Sequence, residues 1–262
     1  MEDHRIPPDQ PLHDQLLEVQ PLKEEIEPLD FRKKWSCLGA ACSESCCFRF
    51  QQANIFIDEV LHLAGYFPLT FNAANSPDGK NNLTLSIILR PTVEKNACIY
   101  LRDGEGCTLG EDRPIACKQF PFCIVKGAEG EETAVLKPSC PGFSDETGQS
   151  ILLSDGSTDP VIYNECLKPA IIAAETAGET QAFVDTLVKY DLISIACCES
   201  KGLKVYLYII DAQKLHALPK DTRDVLRAKG YMDLILAHIN SAVHLRDFID
   251  IYLDRKARQE VT

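Results

Sequence analysis

The segment Cys37-Leu-Gly-Ala-Ala-Cys42-Ser-Glu-Ser-Cys46-Cys47 places four thiols within eleven residues, two of them adjacent. A core needs volume, and Leu or Val supplies it without an oxidisable group. Clustered sulfurs suit a soft metal ion or an iron–sulfur cluster instead. A second group follows at Cys98, Cys107, Cys117, Cys123 and Cys140. Neighbouring side chains diverge by about 100° in a helix and about 180° in a strand. Cys46 and Cys47 therefore do not easily face one mononuclear ion. Nine cysteines between residues 37 and 140 also exceed what one zinc or one 4Fe–4S cluster takes. The surplus points to a second ion, or to a cluster beside a zinc.

The elements that would position these thiols follow from local pattern. Residues 1–30, with five prolines and excess acid, read as a flexible tail. Arg32, Lys33, Lys34 and Arg49 flank the first cysteine group, where they would offset thiolate charge or form a solvated face. Ile55–Ile57 reads as a short strand, and Asp58 as the cap of a helix ended by Gly65. Leu83–Leu89 is a strand pattern between turn-rich stretches. Arg102-Asp-Gly-Glu-Gly106 is a turn that returns Cys107 toward Cys98. Pro114 and Pro121 restrict the backbone around Cys117, and Cys140-Pro-Gly142 is a third tight turn.

Residues 143–158 read as a Ser/Asp/Gly-rich linker. Beyond it the spacing predicts helices over 160–177, 180–189, 220–229 and 231–257. It also predicts a half-buried strand over Leu203–Ile209 and a cap at Asp211. The fold class is thus α+β: an irregular cysteine-rich metal-binding domain with short strands over 31–145, then a mostly helical region over 146–262. Cys166 and the pair Cys197-Cys198 read as packing thiols, and so does Cys123. His62, His238 and His244 read as helix residues.

The chain has 262 residues, 45% hydrophobic and 25% charged, with 12 cysteines and a net charge of -12. Such a chain builds a core without cysteine staples. Its acidity argues against a nucleic-acid partner. No run of about 18 apolar residues predicts a membrane span. The opening Met-Glu-Asp-His-Arg lacks a signal-peptide pattern. A cytoplasmic location is expected, where clustered thiols serve as metal ligands rather than disulfides. Metal ions are the expected partners, and a protein partner stays open. No clean Cys-x2-Cys pairs and no nearby histidine make a zinc-finger pattern.

The order Cys37-x4-Cys42-x3-Cys46-Cys47, Cys98-Ile-Tyr-Leu, Gly106-Cys107-Thr-Leu and Arg113-Pro-Ile-Ala-Cys117-Lys-Gln-Phe-Pro-Phe122 resembles the YkgJ-type cysteine-cluster family. That family is described as a zinc- or iron-chelating domain. The resemblance covers residues 35 to about 142. It implies Cys37, Cys42, Cys46, Cys47, Cys98, Cys107 and Cys117 as ligands, with Cys140 an addition. The long first spacing is similar to FliB, a related flagellin lysine N-methylase that uses S-adenosylmethionine with an iron–sulfur cluster. Cys47-Phe-Arg-Phe departs from the Trp that FliB-like chains carry after the pair, and no glycine-rich nucleotide loop is present. Metal chelation by thiolates is the expected function, with FliB-like methyl transfer as the alternative. Whether the chain is an enzyme stays open. Separately, Gly202–Leu218 with Lys229-Gly-Tyr and Ala237–Ser241 resembles the end of SapC-type proteins. That likeness implies a helical appendage rather than a catalytic centre.

Overall fold

The computed structural model describes residues 27–28, 33–37, 47, 51–75, 81–90, 97–102, 105–126, 132–136 and 140–259. Its strands, in chain order, are β1 (Glu27–Pro28), β2 (Lys34–Trp35), β3 (Gln52–Asn54), β4 (Leu69–Asn75), β5 (Asn81–Ile88), β6 (Leu101–Arg102) and β7 (Gly106–Cys107). They continue as β8 (Phe122–Lys126), β9 (Glu132–Leu136), β10 (Phe143–Ser144), β11 (Gln149–Ser150), β12 (Ile193–Ser200) and β13 (Leu203–Ile210). The α-helices of four residues or more are α1 (Val60–Leu63), α2 (Ile115–Gln119), α3 (Lys168–Lys189), α4 (Ala212–Ala217), α5 (Lys220–Ala228), α6 (Tyr231–Ser241) and α7 (Val243–Gln259). An α+β fold results. No helix among the described residues is long and apolar enough to cross a membrane.

One antiparallel sheet of five strands, in the order β12-β13-β4-β5-β3, carries the architecture. Successive side chains of its strands point to opposite faces, and different helices cover the two. Leu69, Phe71, Leu85 and Ile87 share a core with Phe183, Val184 and Leu187 of α3 and with Tyr231 and Ile235 of α6. Ile88, Val205 and Leu207 point the other way, into a cluster with Leu245 and Ile249 of α7. Each fully buried aliphatic or aromatic side chain in these layers contributes roughly 1.5–3 kcal/mol. The expected boundary near residue 145 runs through this sheet, since β13 pairs with β4 at Tyr208↔Phe71. The stretch 202–218 is therefore not an appendage. It supplies the strand beside β4 and the Asp211 cap, whose Oδ1 accepts the amides of Gln213 and Lys214.

Three smaller ladders lie outside the main sheet: β1-β9-β8, β10-β2-β11 and β6-β7. They correct the reading of residues 143–158 as a linker. β10 and β11 sandwich β2, with Trp35 opposite both Phe143 and Gln149. A second core of Phe122, Ile151, Ile162, Cys166 and Leu167 packs against Trp35 and Phe143. The Ser/Asp/Gly content of this stretch reflects its turns, while its two-residue strands are too short to show a period.

Other boundaries shift for local reasons. The strand expected at 55–57 lies just before it, as β3, and a helical turn takes up Ile57–Glu59, where the Glu59 carboxylate accepts the Phe56 amide at 3.0 Å and caps it. The expected helix 231–257 is two, parted at Ala242. There the Ser241 hydroxyl takes the His238 carbonyl and accepts the Leu69 amide. Strand β12 carries Cys197 exposed to solvent, so only Cys198 of that pair packs.

Candidate functional site

Four cysteines from separate segments share one neighbourhood at the edge of the main core. Cys47 and Cys98 are joined through their backbones, the Cys98 amide donating to the Cys47 carbonyl at 2.8 Å. Cys107 sits on β7 opposite Leu101 of β6. The amide and hydroxyl of Thr108 both donate to the Tyr100 carbonyl, at 2.8 and 3.1 Å, which closes that hairpin onto the Cys98 turn. Cys117 lies in α2, its amide donating to Pro114.

The short α2 is held by a distant carboxylate. Glu59 accepts the Ile115 amide at 2.6 Å as well as the Phe56 amide. An acceptor at a helix N-terminus satisfies a donor that the helix itself leaves orphaned. Burial raises the Glu59 pKa above its ordinary value, although both amides pull it down.

The Cys98 turn is gripped from the other end of the chain. Arg255 of α7 donates to the carbonyls of Ala97, Cys98 and Ile99 at 3.3, 3.2 and 2.9 Å. Arg90, buried nearby, has its pKa lowered chiefly by burial and is held up in part by Cys98. Arg113 stands close enough to Cys107 and Cys117 to favour their thiolates. Three arginines thus face the thiols. Of the expected flanking cations, Lys34 donates to the Glu146 carbonyl at 3.0 Å, while Arg32 and Arg49 lie outside the described residues.

Burial pushes the Cys98 thiol up to about 12, with Cys47 and Cys107 adding to the rise. It raises Cys117 too, to which Cys98, Cys47 and Cys107 contribute, and Cys107, to which Cys47 contributes. Mutual repulsion of this kind requires close approach. No disulfide joins two of the described cysteines. Among the described residues, no group of three or more His, Cys, Asp or Glu side chains is disposed to hold a metal ion. The four thiols are neighbours rather than a closed coordination sphere.

The remaining candidates fall elsewhere. Cys42 and Cys46 lie outside the described residues. Cys37 is exposed, lines a cavity with Cys117 and Cys166, and adds to the raised pKa of Cys166. Cys140 is half-buried before β10, its carbonyl accepting the Phe143 amide. His62 pairs with Asp112 at 3.3 Å, and His244 meets the Ala64 carbonyl at 3.1 Å. His238 is buried and stacks on Phe71. Glu59, Arg90, Arg113 and Arg255 went unread in the sequence. Only Arg113, inside the Arg-Pro-x-x-Cys motif, had a local signal.

Residues 41–248 match the family model described as SapC. No curated protein and no solved structure matches the chain. The family match overturns the resemblance to YkgJ-type and FliB-like chains, for it takes in the cysteine segments from Cys42 onward together with the whole main sheet. The short motifs that suggested those families have local structural roles. Arg113-Pro114 leads into α2, and Phe120-Pro121-Phe122 turns the chain into β8.

Proposed function

The chain belongs to the SapC family, and within the matched span we propose a thiolate centre that binds a soft metal, as zinc or as an iron–sulfur cluster, through Cys47, Cys98, Cys107 and Cys117. The observation that carries this reading is the shared neighbourhood of four thiols drawn from four segments, each of three raising the pKa of others. A core of ordinary packing thiols gains nothing from such convergence. Four sulfur donors match the coordination that zinc and 4Fe–4S clusters take.

The surroundings support it. A divalent ion with four thiolates carries a charge of about -2, and buried charge needs compensation nearby. Arg90, Arg113 and Arg255 supply it. Arg255 and Glu59 fix the backbones that carry Cys98 and Cys117, which is the role of outer-shell groups at metal sites. Cys42 and Cys46, next to Cys47 in sequence, are candidates for a larger cluster. A cytoplasmic setting, which keeps thiols reduced, belongs to the same proposal.

Elemental analysis of anaerobically isolated protein tests it. Wild type should hold at least one zinc, or several irons, per chain. Cys98→Ser and Cys117→Ser should each lose most of that metal, and Cys197→Ser, on the exposed strand, should keep it. Metal absent from wild type, or retained equally in all three variants, would defeat the proposal.

A further inference from the structure

Beside the thiol neighbourhood lies a cavity of about 460 Å³. Small-molecule sites occupy roughly 300–1,000 Å³. It is lined by Trp35, Arg113, Cys117, Lys118, Phe120 and Cys166, all buried or half-buried, and by the exposed Glu165. In a chain with a net charge of -12, two half-buried cations against one exposed carboxylate reverse the overall sign locally. Concave walls of one sign concentrate ions of the other. Arg113 uses its Nε on a neutral acceptor, the Gly110 carbonyl at 3.0 Å. Neither Arg113 nor Lys118 forms a salt bridge among the described residues.

Two local features build this wall. Tyr163–Leu167 is a π-helical turn that brings Cys166 into it, and such turns recur at functional sites. Gly148, at φ 109°, closes on β2: a Cβ there would sit 2.9 Å from the Trp35 carbonyl carbon and oxygen. The loop reaches Trp35 because the residue is glycine.

We infer that this cavity binds a small organic anion, its carboxylate or phosphate paired with Arg113 and Lys118 and its apolar body against Trp35 and Phe120. Such binding needs no metal at the neighbouring thiols, so it stands or falls separately from the thiolate centre.

Trp35 is the one tryptophan of the chain, so its fluorescence reports this site alone. The full-length protein is titrated with phenyl phosphate, phenylacetate, benzyl alcohol and benzylamine. At least one of the two anions should give a saturable change at millimolar concentration or below, and which one responds tells phosphate from carboxylate. The neutral and cationic probes should give none. Arg113→Gln should weaken anion binding tenfold or more, and Lys118→Gln, for use if the first variant fails to fold, at least threefold. Glu165→Gln should tighten it, by removing the exposed carboxylate. No saturable response to either anion, an equal response to benzylamine, weakening by Glu165→Gln, or unchanged affinity in a folded Arg113 or Lys118 variant would overturn the assignment.

Discussion

The Arg255 guanidinium donates to the Cys98 carbonyl at 3.2 Å, across 157 residues of sequence. With the bonds to Ala97 and Ile99 it ties α7 to the turn that carries a central thiol. Hydrogen bonds from a charged donor are worth about 1.5–3 kcal/mol net. Arg255→Met, which keeps the aliphatic stem, should cost about that much in denaturant unfolding. Hydrogen exchange should speed up at residues 97–101 more than in the main sheet. Uniform destabilisation with no local change would show that the clamp is not specific to the turn.

Glu59 holds two amides, those of Phe56 and Ile115. Glu59→Gln leaves one amide facing an NH2 group and should destabilise by about 1–2 kcal/mol. Its pH effect has a definite sign. The folded pKa lies above the ordinary value because of burial. The folded state therefore binds the proton more readily, and this contribution is full below the unfolded pKa and lost as pH rises through the folded one. The variant should lack that loss. Unfolding curves between pH 4 and 7 read the difference; parallel curves for both proteins would contradict it.

His238 works in the opposite sense. It is buried, stacks on Phe71 at 4.9 Å, and neither ring nitrogen has a hydrogen-bond partner among the described residues. Burial lowers its pKa to about 3, against the ordinary 6.5. The unfolded chain takes the proton first, so stability is lost as pH falls below about 6.5, by about 1.4 kcal/mol per pH unit, until pH about 3. His238→Leu should be more stable at pH 7 by about 1–3 kcal/mol, because two orphaned polar atoms leave the core. It should also resist acid better. A variant that unfolds at the same acid midpoint as wild type would remove His238 from the acid response.

Some of this was open to sequence reading. Alternation over Leu203–Ile209 announces β13, and Asp211 and Gly230 announce their cap and stop, since those signals are local. The return of Cys107 toward Cys98 was legible too, and the β6–β7 pairing makes it; a thiol centre built on it belongs to the proposal. Other features depend on distant partners. β10 and β11 pair with β2, more than a hundred residues upstream, and no pattern within two residues reveals that. Cys166 enters a cavity wall only because the helix widens at 163–167. The break at Ala242 sits on a good helix former and reflects Ser241 bonding to Leu69. Arg90, Arg113 and Arg255 come near the thiols from distant parts of the chain, which no local pattern reveals.

On the proposed thiolate centre, metal removal should act locally. The five-stranded sheet is held by its own two cores, whereas Cys98, Cys107 and Cys117 sit on short turns and a helix of five residues. Chelation should raise hydrogen exchange over residues 97–119 and leave β4, β5 and β13 protected. Loss of protection throughout the sheet would mean that the centre holds the whole fold.

X-ray absorption at the zinc and iron edges of the anaerobically isolated protein tests the thiolate centre most directly. The expected result is a first shell of sulfur alone, near 2.3 Å for zinc. A shell of nitrogen and oxygen, or no edge above background, would contradict it.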